Sequence, residues 1–181
     1  MINEYDKSST DTSGGFASSD NADNNAVIST LNGLIETCKD GQNGFKEAAE
    51  GVERSDLKSL FYEFAQQRAQ FVGELQSLVR TIGGDPENSG STLAAIHRGW
   101  INIKSVVTGK DEHAILNECE RGEDSAKNAY KSALESGLPA NVLDTVQTQY
   151  TSVQSAHDRV KAMRDSYKSE GGSTNTASTS Y

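Results

Sequence analysis

Apolar residues recur every three or four positions through four long stretches of this chain. That spacing dictates helices that each bury one stripe. In the first stretch the stripe is Ile28, Leu31, Ile35, Cys38, Gln42, Phe45, Ala49 and Val52. In the second it is Leu57, Phe61, Phe64, Arg68, Phe71, Leu75, Leu78 and Ile82. Leu116, Cys119, Glu123, Ala126, Tyr130 and Ala133 form the third. Val142, Val146, Gln149, Val153, Ala156, Val160 and Met163 form the fourth. Boundary signals place the helices at about 25–53, 56–82, 112–136 and 139–167. Ser55 and Asp111 are natural N-caps, Gly83-Gly84 and Gly137 are natural stops, and Pro139 suits a first turn.

Two or three residues join the first helix to the second and the third to the fourth, so each pair is expected to form an antiparallel hairpin. The link between the hairpins, residues 83–110, is long enough to run from one end of a bundle to the other. It carries its own helical pattern over about 92–107, with Ser91 as N-cap and Trp100 as an anchor onto the bundle. The expected fold is all-α, a ferritin-like four-helix bundle over 25–168 in which two hairpins are joined by one long crossover. Residues 1–24 and 169–181 are rich in Ser, Gly, Asn and Thr without periodicity and read as flexible tails.

Charge and composition exclude several functions. The net charge is −9, with −4 on residues 1–25, −1 on 169–181 and −4 on the bundle. No basic footprint for nucleic acid is present. No run approaches the roughly 18 apolar residues of a membrane span. The polar start "MINEYDKSSTDTSGG" lacks the apolar core of a secretory signal. Cys38 and Cys119 lie in apolar stripes and read as buried free thiols. A cytoplasmic location is the expectation.

Polar residues interrupt the stripes. Gln42, Gln67 with Arg68, Glu123 and His157 come one set from each helix. Counted from a shared end of the bundle at Ser55, Asp111 and Tyr167, they lie 13, 12, 12 and 10 residues in, within about one turn of a common depth. A di-metal site in such a bundle takes one Glu from each of two helices and Glu-x-x-His from each of the others. This chain supplies Gln42, then Gln67 with Gln70, then Glu123 with Glu120 one turn earlier, then the Gln154–His157 pair. Glutamine is neutral, and two divalent ions would bring about +4 against one or two carboxylates. The expectation is therefore an Arg68–Glu123 ion pair, His157 bonded to Glu123 or a glutamine, and Gln42 and Gln67 bonded across the bundle. The alternative is a metal site on Glu123, His157 and Glu120. Glu47, His97 and His113 read as surface residues, and no nucleophile–base set or phosphate loop is present.

The stretches "LNGLIETCKDGQNGFKEAAEGV", "LKSLFYEFAQQRAQFVGEL", "HRGWINIKS", "ILNECERGEDSAKNAY" and "LPANVLDTVQTQYTSVQSAHDRVKAMRD" resemble a bacterial family of ferritin-like four-helix-bundle proteins of unknown function. The resemblance spans residues 26–165. It implies a ferritin-like fold and suggests a role in stress physiology. It also implies Glu at the positions that Gln42 and Gln67 occupy here. The expected function is thus a non-catalytic structural or interaction protein with a degraded di-metal site and no cofactor. The alternative is storage or oxidation chemistry on iron, manganese or zinc. Within "NECERGED", Glu118 and Asp124 are expected to face outward and Glu123 inward, while Gly122 offers a close approach for a neighbouring helix. A homodimer is expected on that basis.

Overall fold

The computed structural model describes residues 17–86, 100, 102–109 and 111–172. Every regular element among the described residues is a helix: α1 (Ala17–Gly51), α2 (Ser55–Thr81), α3 (Ile103–Thr108), α4 (Glu112–Glu135) and α5 (Ala140–Gly172). The chain folds as an all-helical bundle. α1 packs along α2 and α4, α5 packs along α4 and meets α2, and α3 lies against α1 and α4. The start of α1 meets the end of α2, where Asn24 donates to the Ile82 carbonyl at 2.9 Å and Asn32 to that of Asp85 at 3.0 Å. The end of α1 meets the start of α4, where Glu112 accepts from the backbone N–H groups of Glu53 and Arg54 at 2.8 and 3.0 Å. The start of α4 meets the end of α5, where the His113 and Tyr167 rings stack 6.1 Å apart.

The boundaries follow local chemistry. Asp111 caps α4, its carboxylate accepting from the N–H groups of His113 and Ala114 at 3.0 and 3.1 Å. Gly83 and Gly137 take φ values of 80° and 79°, a left-handed turn that strains any residue with a Cβ. Pro139 precedes α5, and its carbonyl accepts from Val142 and Leu143.

Five expectations need correction. Ser55 is the first residue of α2 and not its cap; extended Arg54 is the cap residue, without a side-chain cap bond, and Glu112 bonds the adjacent N–H groups from across the bundle. Residues 17–24, read as tail, are helical, because Asn24 gives that end of α1 a tertiary anchor. α5 continues past 167 to Gly172, since nothing breaks the helix before Gly171. The connecting helix is shorter than 92–107: Trp100 lies in a bend, Asn102 in a turn, and α3 begins at Ile103. His113, read as a surface residue, is half-buried against Tyr167. The expectations for residues 1–16, 173–181, Ser91, the 92–99 part of the connecting helix and His97 lie outside the described residues.

The core has two parts. One holds Phe45, Val52, Leu57, Phe61, Phe64, Leu116, Cys119 and Val160, together with Ile103 of α3. The other holds Leu31, Ile35, Cys38, Phe71, Leu75, Tyr130, Val146 and Val153. Between them along their helices come Gln42 of α1, Arg68 of α2 and Glu123 of α4. Replacing Asp111 with Ala is expected to cost about 1 kcal/mol through the lost N-cap, read as a lower urea midpoint at unchanged slope.

Candidate functional site

The polar layer is built around a charge pair. The Arg68 guanidinium on α2 donates through Nη2 to Glu123 Oε2 on α4 at 2.6 Å, and both side chains are 1% exposed. Arg68 is the largest fully buried side chain among the described residues. Its stem passes over Gly41 of α1, where an added Cβ would lie 3.4 Å from Arg68 Cγ. Its guanidinium carbon lies 5.5 Å from the centre of the Phe71 ring. Nη1 donates to Gln67 Oε1 at 2.7 Å. Arg68 Nε and Glu123 Oε1 have no hydrogen-bond partner among the described protein atoms. Burial pushes the Glu123 carboxyl above its ordinary range, and the Arg68 charge pulls it back.

The expected Arg68–Glu123 pair is therefore present and Gln67 joins it, but His157 and Glu120 do not. His157 bonds neither Glu123 nor a glutamine. Its Nε2 lies 3.0 Å from Asp124 Oδ1 and its Nδ1 lies 2.9 Å from Asp158 Oδ1. The hydrogen bond to His157 holds Asp158 below the usual carboxylate range. Glu120 forms an ion pair with Arg164 of α5. Gln42 is half-buried, and Gln67 bonds its neighbour Arg68 and does not reach across the bundle. Among the described residues no three His, Cys, Asp or Glu side chains converge as metal ligands would.

A second polar chain escaped the sequence reading. Gln149 Nε2 on α5 donates to Glu74 Oε2 on α2 at 2.7 Å. Tyr130 on α4 donates its hydroxyl to Gln149 Oε1 at 2.8 Å, and the Cys38 sulfur on α1 lies 3.1 Å from the same hydroxyl. All four long helices are thus joined by consecutive side-chain hydrogen bonds. Tyr130 read as an ordinary stripe residue, and only the inward Gln149 signalled that it needed a partner. Burial pushes the Cys38 thiol up to about 11 and raises that of Cys119 well above its ordinary value, so both are poor nucleophiles near neutral pH.

Trp100 supplies the third feature. Its indole lies in a slot between two helical glycines. A Cβ added to Gly44 of α1 would sit 2.1 Å from the ring, and one added to Gly122 of α4 would sit 2.4 Å from it. Phe45 meets the ring edge-on, with centroids 5.0 Å apart. Gly122 therefore makes room for a side chain of its own chain, which removes the argument that it serves a second copy. Glu118, expected to face outward, is 7% exposed. It accepts from the Asn102 N–H at 3.2 Å and pairs with Arg121. Glu47, expected to be solvated, is half-buried and lies 3.6 Å from Lys104 of α3. Asp124 is exposed as expected. Trp100 also walls an open groove of about 590 Å³ with Asp40, Asn43, Glu47 and Lys104.

Residues 26–136 match the family described as a domain of unknown function, DUF2383. The chain belongs to that family. The DUF2383 match takes in Gly41, Gly44, Arg68, Trp100, Gly122 and Glu123, and so contains both the charge pair and the indole slot. It ends at the close of α4, before Gln149 and His157. No curated protein matches the chain. Changing Tyr130 to Phe would leave the Gln149 carbonyl and the Cys38 thiol each short of a partner. The expected cost is about 1–3 kcal/mol by urea denaturation, and a change of a few tenths would mean that the chain of bonds contributes nothing.

Proposed function

We propose that this protein is a non-catalytic ferritin-like bundle, a structural or interaction module of stress physiology, whose buried polar layers hold the helices in one register. The observation that carries the reading is the position of Arg68. A di-metal centre in such a bundle needs inward carboxylates facing two cations. Here a guanidinium fills the middle of the layer and takes Glu123 for itself. Bringing a divalent ion to Glu123 would set it against the fixed charge of Arg68 in a medium where like charges repel strongly. Glu120 and His157 are already engaged elsewhere, by Arg164 and by Asp124 and Asp158. The residues present do not fit a di-iron or similar metal pair.

The ferritin-like topology is supported by the contacts at the helix ends. The end of α2 lies with the start of α1, while the start of α4 lies with the end of α1. The link from Gly83 to Asp111 must then join opposite ends of the bundle, as a crossover does. No helix among the described residues is long and apolar enough to cross a membrane. On this reading the protein acts in the cytoplasm, and a homodimer would use a face other than that of Gly122.

Anaerobic loading of the full chain with Fe²⁺, Mn²⁺ or Zn²⁺, followed by desalting and elemental analysis, tests the reading. The expected result is metal well below one equivalent per chain. Stoichiometric metal that is lost in a Glu123→Gln variant would replace this reading with a metal-binding one.

A further inference from the structure

α3 has six residues, whereas isolated helices shorter than about 12–15 residues are marginal in water. Its order therefore comes from docking, and among the described residues the docking points are few. The Trp100 indole fills the Gly44–Gly122 slot. Ile103 enters the core part that also holds Phe45 and Cys119, and Val107 lies over Gly51. One hydrogen bond runs from the Asn102 N–H to Glu118. Asn102, Lys104, Ser105 and Thr108 are exposed. The four long helices also pack on one another, α1 along α2 and α4, and α5 along α4.

Cys119 belongs to the core part that takes in Ile103 and packs against Trp100, and it lies one turn before Gly122 on the same helix. It is fully buried. Cys38 belongs to the other core part, beyond the Arg68–Glu123 layer, where Tyr130 holds it. The two thiols are thus equally buried but in different core parts.

We propose that Trp100 and α3 form a strap that opens as a unit from an intact four-helix body, and that Trp100 is its latch. Opening uncovers Cys119 and leaves Cys38 sealed. Regions held by few buried contacts open at a fraction of the global unfolding free energy. The strap makes Cys119 the thiol that answers to small electrophiles, and only in the open state.

Alkylation of the full-length protein by iodoacetamide at pH 8, followed residue by residue by mass spectrometry, tests this. The Cys119 thiolate displaces iodide to form a thioether, with its proton going to buffer. In the wild type, Cys119 should react faster than Cys38 and keep its rate in low urea, because opening the strap exposes little surface. Trp100→Ala should raise the Cys119 rate by about tenfold or more, equivalent to at least about 1.4 kcal/mol of lost docking, and leave the Cys38 rate unchanged. Equal acceleration of both thiols, or of neither, would overturn the proposal. Gly44→Ala and Gly122→Ala give a second readout that keeps the indole. Trp100 is the chain's single tryptophan, so its emission reports the slot directly. Each variant should shift that emission to the red and speed alkylation of Cys119 alone, and a blue, unshifted emission in both would contradict the latch. Should Trp100→Ala fail to fold, the wild-type urea dependence and the glycine variants still decide.

Discussion

A guanidinium and a carboxylate meet at 2.6 Å in the middle of this bundle with almost no water access. Taking two charges out of water costs several kcal/mol each, and their mutual attraction repays this only when the geometry is good and the remaining donors and acceptors are met. Here the geometry is end-on, Gln67 takes a second donor of Arg68, and Arg68 Nε and Glu123 Oε1 go without a protein partner. Such a pair adds little stability over an apolar filling. On the proposed reading its effect is on choice among arrangements. Sliding α2 against α4 by one turn would strand each charge in an apolar layer. The pair lies between the two parts of the core, and on the proposed reading it holds them in register.

The other polar features extend that constraint. Tyr130, Gln149 and Glu74 link α4, α5 and α2 about two turns from the pair, and Cys38 brings in α1. Two contacts then tie α4 to α5, Asp124 with His157 at the depth of the pair and the Glu120–Arg164 ion pair one turn away. Glycines set the spacing on α1 and α4. Gly41 lies under the Arg68 stem, and Gly44 and Gly122 admit Trp100. Glycine in a helix interior costs roughly 0.5–1 kcal/mol relative to alanine. At Gly44 and Gly122 that cost is offset by burial of an indole that no residue with a Cβ would allow.

The helices and the interruptions of their stripes were legible in the sequence because both follow from the 3.6-residue period. Arg68, Glu123 and Gln149 stood out as polar groups where apolar ones belonged. Partner choice was not legible, because it depends on distances across helices. His157 selects Asp124 and Asp158 over the nearby Glu123. Glu118 is buried because the Asn102 N–H approaches it, and Trp100 leaves the helical path because its slot lies between α1 and α4. The signal that could have found the slot was present. Gly44 and Gly122 sit inside strongly helical stretches, and a glycine retained there marks a close approach. The extra length of α1 and α5 was hidden because polar, aperiodic residues can continue a helix that tertiary contacts have already nucleated.

The central claim is that the Arg68–Glu123 pair contributes register and not net stability. A double-mutant cycle over Arg68→Leu, Glu123→Leu and the double variant, with urea denaturation and amide NMR on each, tests it directly. Each single change should cost about 3–5 kcal/mol by leaving one buried charge unpaired, while the double variant should return to wild-type stability or exceed it. The double variant should also show broadened or duplicated amide resonances, the mark of competing helix registers. A double variant that is strongly destabilised, or one that keeps a single sharp native spectrum, would contradict the account.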